Sequence, residues 1–209
     1  DAEVAGQASR LVLELLQQCG WRVPDWIAFP AGNLGNTAAF GKALAEARVL
    51  GLIDRLPRLA AIQAAGAAPF ALGFQEGFAR RHRVTAETVA TAIKIGDPAS
   101  WDRAVRSIRE TNGVVATVTD AEILEAKAIV DAAGVGCEPA SAASVAGVKA
   151  LRARGIIAPE ADVVAVLTGH VLKDPGALLS YHRETEPAPA HANRPIEIEP
   201  TVAAVAAVF

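Results

Sequence analysis

The chain has 209 residues, of which 52% are hydrophobic, and its formal net charge at pH 7 is −3. This length allows one large domain or two small ones with a substantial core, and the slightly acidic balance argues against a nucleic-acid partner. No apolar run is long enough to cross a bilayer, and two widely separated cysteines, Cys19 and Cys137, indicate a reduced cytoplasmic protein rather than a disulfide scaffold.

Hydrophobic periodicity predicts helices and strands in alternation along the chain. A helix over residues 3–18 precedes a short apolar strand over residues 25–30. The other predicted helices span residues 36–50, 69–80, 100–111, 120–133 and 139–155, with Asp120 as the N-cap of the helix that it begins. The other predicted strands span residues 58–64, 114–118 and 163–167, the first and last of them buried, and residues 81–98 are predicted to be irregular.

The C-terminal part of the chain is less regular. A short helix is predicted after Pro175, a surface tail rich in Pro and Glu over residues 183–200, and a last helical turn over residues 203–209. We expect two parts, a three-layer α/β unit over residues 1–182 and a tail over residues 183–209 that packs on its surface.

The alternation of strands and helices indicates an α/β fold with a mostly parallel sheet flanked by helices. Ligands of such sheets bind beyond the carboxyl ends of the strands. The predicted strands put three segments at such ends: the turn over residues 31–36, residues 64–68 and residues 168–170. We expect the first and the third of these segments to meet in one crevice.

The turn after the first strand carries the strongest functional signal. Residues 30–37 read Pro-Ala-Gly-Asn-Leu-Gly-Asn-Thr, between a buried strand and the start of a helix. The two glycines allow a ligand to approach the backbone, the free N–H groups of the turn and first helical residues favour an anion, and Asn33 and Asn36 tolerate left-handed turn geometry. The turn predicts a phosphate site, although an ordinary strand–turn–helix corner has similar features.

Two common phosphate motifs do not fit this turn. A Walker loop requires four residues between its first glycine and Gly-Lys, followed by Ser or Thr, whereas five residues separate Gly35 from Gly41, and Ala43 follows Lys42. The pair Gly32 and Gly35 also lacks the Gly-x-Gly-x-x-Gly pattern of dinucleotide-binding folds. A phosphate bound here would belong to another class of cofactor.

A few other side chains are candidates, each with a simpler structural explanation. Thr168 would place a hydroxyl at the ligand edge of the sheet, or would bond its own turn. His170 is more often structural than catalytic when it stands alone. Glu138 and Ser141 come at the start of a helix, where a capping role explains both without catalysis.

Several kinds of chemistry are disfavoured. Cys137, Glu138 and His170 do not have the spacing of metal ligands, so no metal site is predicted, and the Gly-x-Ser-x-Gly elbow of serine hydrolases is absent. Neither Lys42 nor Lys94 is in a reactive setting, and Lys127 and Lys149 are predicted on solvated helix faces.

The chain contains no methionine and begins at Asp1, on what reads as the flank of a helix. A complete bacterial reading frame would begin with Met. We therefore expect a fragment or processed chain that lacks an N-terminal part.

Four blocks of sequence together resemble the threonine synthase family, pyridoxal-phosphate enzymes of the fold type II (tryptophan synthase β) group. They cover residues 30–36, 92–98, 137–143 and 167–175 in the order of that family, and the tail Asn-Arg-Pro-Ile-Glu-Ile-Glu over residues 193–199 also matches. The resemblance extends over nearly the whole chain and implies the large domain of a fold type II enzyme.

The resemblance also implies a cofactor and its contacts. Pyridoxal 5′-phosphate would be held at its phosphate by backbone amides and at its pyridine nitrogen by the Thr168 hydroxyl, which would leave that nitrogen largely unprotonated. Asn33 and residues 92–96 would line the site beside the ring. The implied phosphate-binding residues are Gly32, Asn33, Leu34, Gly35 and Asn36.

The resemblance implies a reaction that this chain does not complete. The family converts O-phosphohomoserine and water to threonine and phosphate, and the full-length enzyme is expected to be a homodimer. The Schiff-base lysine of the family lies in an N-terminal Ser-x-Lys-Asp-type segment, which is absent here, together with the asparagine that contacts the ring oxygen and most of the smaller domain. We expect no catalytic residue in this chain and no turnover by it alone.

Two alternatives stay open at the level of sequence. The chain could belong to another fold type II enzyme, such as a serine/threonine dehydratase or a cysteine synthase, although their phosphate turns are typically all-glycine or of the Gly-Thr-Gly-Gly-Thr type. It could also be a non-catalytic chain that keeps the phosphate site and performs no reaction.

Overall fold

A computed structural model describes residues 2–184 and 187–208. Its strands are β1 (Trp26–Pro30), β2 (Arg58–Ala64), β3 (Val114–Val118) and β4 (Val163–Ala165). The longer helices are α1 (Ala2–Gln18), α2 (Gly35–Val49), α3 (Pro69–Gln75), α4 (Trp101–Glu110), α5 (Asp120–Ala132) and α6 (Pro139–Ala153). Two short helices follow, α7 (Pro175–Leu179) and α8 (Val202–Ala206).

The four strands form one parallel sheet in the order β3-β2-β1-β4. β1 lies between β2 and β4, with Ala28 opposite both Ala60 and Ala165. All five residues of β1 are buried, as expected for a central parallel strand covered on both faces. The predicted α/β fold with a parallel sheet flanked by helices is confirmed.

Successive side chains of a strand point to opposite faces of the sheet, so alternate residues of these strands belong to two separate apolar cores. Ile27 and Phe29 pack with residues of α1, α2, α3 and α4 on one face. Trp26 and Ala28 pack with residues of α5 and α6 on the other. The molecule therefore has three layers, with the sheet in the middle.

The abundance of small residues has a structural reason where helices approach the sheet closely. A Cβ added to Gly147 of α6 would overlap the side chain of Ile62 on β2. Glycine at this position lets α6 pack directly on the middle of the sheet.

Three predictions of local structure were wrong. α3 ends at Gln75 rather than near residue 80, because Gly77 and Phe78 adopt left-handed backbone angles that a helix cannot accommodate. β4 has three half-buried residues at the edge of the sheet and is not a buried strand over residues 163–167. The N-cap of α5 is Thr119 and not Asp120, since the Thr119 hydroxyl accepts from the N–H of Glu122 in a capping box.

Lys127 on α5 was predicted to be solvated and is instead 2% exposed, paired with Asp131 one turn further along the helix. Tyr181 and His182 are also buried, and the ring Nδ1 of His182 accepts a hydrogen bond from the N–H of Asn193. Residues 187–200 are otherwise mostly exposed. Within the described residues, no helix is long and apolar enough to span a membrane.

Candidate functional site

The turn after β1 and the segment after β4 leave the sheet side by side. The two strands are parallel neighbours, and the pairing continues beyond β4, where the N–H of Val166 donates to the carbonyl of Ala28. Three residues beyond the opposed pair Ala28 and Ala165, the chain reaches Ala31 on one side and Thr168 on the other. The structure therefore brings both predicted segments together at the carboxyl ends of β1 and β4.

The turn presents a row of free donors. Among the described residues, no partner accepts a hydrogen bond from the N–H groups of residues 32–37, and the first bond of the following helix runs from Ala38 to the carbonyl of Leu34. These N–H groups lie at the N-terminus of the 15-residue helix α2, where the positive end of the helix dipole also favours an anion. Such a row of amides at a helix N-terminus is a site for an anion.

The left-handed residue of this turn is Leu34, with φ 63°, and not either asparagine as the sequence suggested. Leu34 is 1% exposed and belongs to the core shared with α1 and α2. Burial of its side chain offsets the cost of a left-handed conformation, which is about 1–2 kcal/mol for an ordinary residue. The core thus holds the turn in the shape that exposes its amides.

Gly32 lies against the irregular segment that the sequence placed beside the site. A Cβ at Gly32 would be 2.9 Å from the Cα of Ile93, so only glycine allows this contact of two backbones. The segment is fixed by N–H bonds from Val84 to the carbonyl of Gly96 and from Glu87 to that of Gly66. Residues 84–96 therefore form a fixed wall on one side of the turn.

Asn33 anchors the turn to the start of α4. Its side-chain Oδ1 accepts from the N–H of Ala99 at 2.8 Å, and its carbonyl accepts from the N–H of Ser100. The side-chain oxygen of Asn33 is thus occupied in positioning the loop. Its backbone N–H stays free.

Gln63 on β2 holds the start of the turn in place. This role was not predicted from the sequence. Gln63 is fully buried at the end of β2, where its Nε2 donates to the carbonyl of Ala31 at 2.9 Å. Its Oε1 accepts from the N–H groups of Phe70 and Ala71 in the first turn of α3. A single glutamine inside an otherwise apolar strand was the available signal, because a buried amide requires several partners.

Thr168 is exposed at the crevice, and its hydroxyl is 3.1 Å from that of Ser141 on α6. The Ser141 Oγ also accepts from the N–H groups of Thr168 and Gly169, at 2.9 and 2.8 Å. Ser141 is fully buried. The Thr168 hydroxyl is therefore held by a side chain from another element. Within residues 2–184 and 187–208, it makes no bond to the local backbone, which was the expected alternative.

Glu138 precedes α6, but its carboxylate does not cap the helix. The side chain is 6% exposed and lies against Gly169, where an added Cβ would meet it. Lys173 forms an ion pair with it, with Nζ 3.9 Å from Oε2. Nδ1 of His170 accepts from the N–H of Leu172, which is a structural role. The end of β4 is thus enclosed by side chains from the start of α6 and from its own continuation.

The Thr37 hydroxyl is buried without a hydrogen-bond partner among the described residues. It belongs to the first turn of α2, directly after the row of free amides. A buried hydroxyl without a partner costs about 1–3 kcal/mol, so this residue carries a cost that the ligand-free protein does not recover.

All five lysines are engaged in ion pairs with carboxylates. The pairs are Lys42–Glu46, Lys94–Glu87, Lys127–Asp131, Lys149–Glu125 and Lys173–Glu138.

Burial raises the pKa of the Cys137 thiol to about 11, with a further contribution from the nearby Asp131 carboxylate. The thiol is therefore protonated at neutral pH and is not a nucleophile. Within the described residues, no group of three or more His, Cys, Asp or Glu side chains could hold a metal ion.

A cleft of about 550 Å³ borders the turn on the side of α4. Asn33 and Gly35 form its end nearest the turn. The charged side chains along its walls are Lys42, Glu46, Arg103, Arg106 and Glu110. The turn therefore borders an open cleft on the side of α4. On the side of Gly32 it lies against residues 84–96.

The chain is similar in sequence to a known enzyme family and to several proteins within it. Residues 1–169 match a family model described as pyridoxal-phosphate dependent enzyme. The chain is 50% identical over 155 residues to threonine synthase of Synechocystis sp., covering 74% of this chain and 38% of that protein. It is 43% identical to threonine synthase of Methanosarcina acetivorans (82% and 43% covered) and 39% identical to threonine synthase 2, chloroplastic, of Arabidopsis thaliana (90% and 37%).

Similar solved structures have the same architecture at lower identity. A threonine deaminase from T.th. superposes with a TM-score of 0.64 at 21% identity, covering 83% of this chain and 60% of that one. Maize serine racemase gives 0.63 at 21% identity, covering 83% and 50%. The chain spans 37% to 50% of the length of the curated relatives that it matches.

Proposed function

The chain belongs to the family of pyridoxal-phosphate-dependent enzymes, and on this premise we propose that it is the C-terminal portion of a threonine synthase. The whole enzyme converts O-phosphohomoserine and water to threonine and phosphate. Identities of 39% to 50% to proteins named threonine synthase support this reaction over that of a dehydratase. The deaminase and racemase structures, at 21% identity, support only the fold.

The coenzyme phosphate is held by the free amides of the turn. The observation that carries the proposal is the row of N–H groups over residues 32–37, without partners among the described residues, beside the hydroxyl of Thr168. An anionic phosphate satisfies these donors without a basic side chain. The proposed phosphate-binding residues are Gly32, Asn33, Leu34, Gly35 and Asn36.

Thr168 would hold the pyridine nitrogen of the coenzyme through its hydroxyl. When bound, pyridoxal phosphate supplies an electron sink for chemistry at the carbon atoms of an amino acid. The neutral hydroxyl of Thr168 would stabilise a proton on the ring nitrogen less than a carboxylate would, and the bound coenzyme would then supply a weaker electron sink. Control of the reaction then depends on how the surrounding residues position the substrate.

The surrounding residues of this chain supply that positioning. Residues 84–96 form a wall that limits water on one side, and Asn33 ties the turn to the start of α4. The cleft between α2 and α4 leaves the other side open. These residues bind and orient the coenzyme, and none of them is proposed to be catalytic.

The lysine that carries the coenzyme is proposed to lie outside this chain. All five lysines present are ion-paired with carboxylates. The chain alone is therefore expected to bind the coenzyme and to form no threonine. The family resemblance further supports a cytoplasmic homodimer for the whole enzyme, which sedimentation analysis of that enzyme would test.

Binding can be tested without an activity assay. Pyridoxine 5′-phosphate has the phosphate and the ring but no aldehyde, so it does not react with surface lysines, and its fluorescence reports binding to the chain. We expect Asn36→Pro, which deletes one amide donor in the first turn of α2, to weaken binding at least about tenfold. Asn36→Ala keeps the donor and is the matched control. Equal affinities of the two variants would contradict the proposed phosphate site.

The reaction can be tested on the whole enzyme. We expect phosphate release and threonine formation from O-phosphohomoserine, and little ammonia release from threonine. Dominant ammonia release would instead indicate a dehydratase. Absence of both activities, with the coenzyme still bound, would indicate a chain that binds the coenzyme without a reaction.

A further inference from the structure

Three segments of the chain border the crevice: the turn over residues 31–36, the wall over residues 84–96 and the segment over residues 168–174. The turn adjoins the third segment because the two follow neighbouring parallel strands, β1 and β4. The turn also touches the wall, where Gly32 lies against the Cα of Ile93. The turn is therefore in contact with both of the other segments.

The wall and the segment over residues 168–174 are joined directly by one side-chain hydrogen bond. The Thr91 hydroxyl donates to Oδ2 of Asp174 at 3.0 Å, between residues that are 83 positions apart and at an exposed place. Among the described residues, no other hydrogen bond and no ion pair links these two segments. The bond between Thr91 and Asp174 therefore completes a closed ring of three segments.

Asp174 makes this bond instead of a local one. It is the N-cap residue of α7, and an aspartate at this position ordinarily accepts a hydrogen bond from a backbone N–H of its own helix. Its side chain makes no such cap bond and reaches Thr91 instead. Capping of α7 therefore does not explain the carboxylate.

The wall has a second side-chain anchor, and that anchor leads to a different part of the molecule. The hydroxyl of Thr88 and the N–H of Val89 both donate to the carboxylate of Asp120 at the start of α5. These bonds attach the wall to a helix of the α/β unit. They do not connect it to the segment that carries Thr168, which is what the bond from Thr91 does.

We infer that Asp174 is a positioning residue, which holds Thr91 and so fixes the separation between the wall and the segment that carries Thr168. The space for the coenzyme ring is then shaped before the coenzyme binds. The inference rests on the proposed function, in which the turn holds the phosphate and the ring lies toward Thr168. A preformed space favours binding because fewer groups must be ordered when the ligand enters. A ligand that occupies only the turn does not benefit from it.

The experiment compares two ligands of the full chain, in titrations followed by phosphorus NMR. Inorganic phosphate probes the turn alone, whereas pyridoxine 5′-phosphate probes the turn and the space for the ring. We expect Asp174→Ala to bind pyridoxine 5′-phosphate about three- to fivefold more weakly than the wild type, as for the loss of one exposed hydrogen bond. Its affinity for inorganic phosphate should be unchanged. A general loss of stability would not separate the two ligands in this way.

Three further variants make the test specific. Asp174→Asn keeps an oxygen that accepts from Thr91 and should bind both ligands as the wild type does. Thr91→Val should reproduce Asp174→Ala, and the two substitutions together should weaken binding no further, because either one removes the whole bond. Asp162→Ala is the matched control, since this carboxylate is paired with Arg22 just before the opposite end of β4. It should leave both affinities unchanged.

The outcomes are distinguishable. Wild-type affinity of Asp174→Ala for pyridoxine 5′-phosphate, or equal weakening for both ligands, would overturn the inference and leave the phosphate site standing. Additive effects of Asp174→Ala and Thr91→Val, or an equal loss in Asp174→Asn, would also overturn it. Failure of the wild-type chain to bind pyridoxine 5′-phosphate would overturn the proposed site and the inference together.

Discussion

At the scale of single residues, the site depends on polar side chains that are buried in an apolar interior, Gln63 on β2 and Thr37 on α2. Gln63 makes three hydrogen bonds to backbone groups of two other segments, whereas the Thr37 hydroxyl has no partner among the described residues. The same physical rule, that burying a polar group costs free energy unless it is bonded, predicts opposite effects of removing them.

We expect Gln63→Leu to lower the free energy of unfolding by about 3 kcal/mol or more, because it leaves the carbonyl of Ala31 and two N–H groups of α3 without partners. Urea denaturation followed by circular dichroism measures this change. The exposed Gln75, at the end of α3, provides the control Gln75→Leu, which should change stability by less than about 0.5 kcal/mol. Similar effects of both substitutions would contradict a supporting role for Gln63.

We expect Thr37→Val to raise the free energy of unfolding of the ligand-free chain by about 1 kcal/mol, since it replaces a buried hydroxyl without a partner by a methyl group of similar size. Thr88→Val is the comparison, because the Thr88 hydroxyl donates to Asp120 and accepts from the N–H of Ala90. That variant should be destabilised. A loss of stability in Thr37→Val would show that the hydroxyl is bonded in solution.

At the scale of secondary-structure elements, close packing and specific caps decide where each element lies. α6 approaches β2 so closely that Gly147 contacts Ile62 without room for a methyl group, and α5 begins at the capping box of Thr119 and Glu122. The start of α6 also holds the residues after β4 through Ser141. Packing of α6 therefore links the sheet to the site.

We expect Gly147→Ala to lower the free energy of unfolding by about 1–3 kcal/mol, because the added methyl group must displace Ile62 or the helix. The intrinsic preference of a helix for alanine acts in the opposite sense and does not compensate for the clash. Gly176→Ala on α7 is the control, since no atom lies within 4 Å of its added Cβ. A neutral or stabilising effect at Gly147 would indicate that α6 and the sheet are farther apart.

In the C-terminal segment, Asn193 is bonded to a buried histidine that titrates. Burial lowers the pKa of His182 from its ordinary value of 6.5, and its ring Nδ1 must be unprotonated to accept from the N–H of Asn193. A lowered folded-state pKa means that the unfolded chain binds more protons. The stability from this group is thus present above pH 6.5 and is lost as the pH falls through the folded-state pKa.

We expect the wild type to lose more stability between about pH 7.5 and about pH 5 than His182→Asn, whose side-chain oxygen accepts the same hydrogen bond without titrating. Hydrogen exchange of residues 187–200 should increase at the acid end in the wild type alone. His191→Asn is the control at a half-exposed histidine. Equal acid sensitivity of the wild type and His182→Asn would contradict this role of the hydrogen bond.

At the scale of the whole molecule, the order of the strands in the sheet brings the two halves of the site together. The turn and Thr168 are more than a hundred residues apart in sequence, and they meet because β4 pairs with β1 at the edge of the sheet. Binding of a ligand that touches both segments therefore stabilises the fold as a unit. We expect pyridoxine 5′-phosphate at about one hundred times its dissociation constant to raise the free energy of unfolding by about 2.7 kcal/mol.

Thermal unfolding with and without the ligand measures this stabilisation, and Thr168→Val should reduce the shift at equal ligand concentration. Inorganic phosphate alone, which engages only the turn, should give a smaller shift. A shift of equal size with phosphate alone would indicate that the ring makes no contact with the segment after β4.

Much of this protein could be predicted from its amino-acid sequence, because the signals that predict it are local. Continuous apolar runs at β1 and β2, bounded by helix-forming segments, require a parallel sheet covered on both faces. The glycine turn predicts its anion site because free amides follow from any helix N-terminus. The four sequence blocks that resemble the threonine synthase family could be recognised from their residues and their order along the chain.

The remaining features could not be predicted in this way, because they depend on contacts between residues that are distant in sequence. Nothing near Lys127 in the chain shows that its helix face is covered, and nothing near Leu34 shows that the core holds it in a left-handed conformation. The partners of Gln63 and the junction of Ser141 with Thr168 likewise come from other elements. Periodicity reports which face of an element is apolar, whereas the direction of a hydrogen bond is fixed only when the partners are brought together.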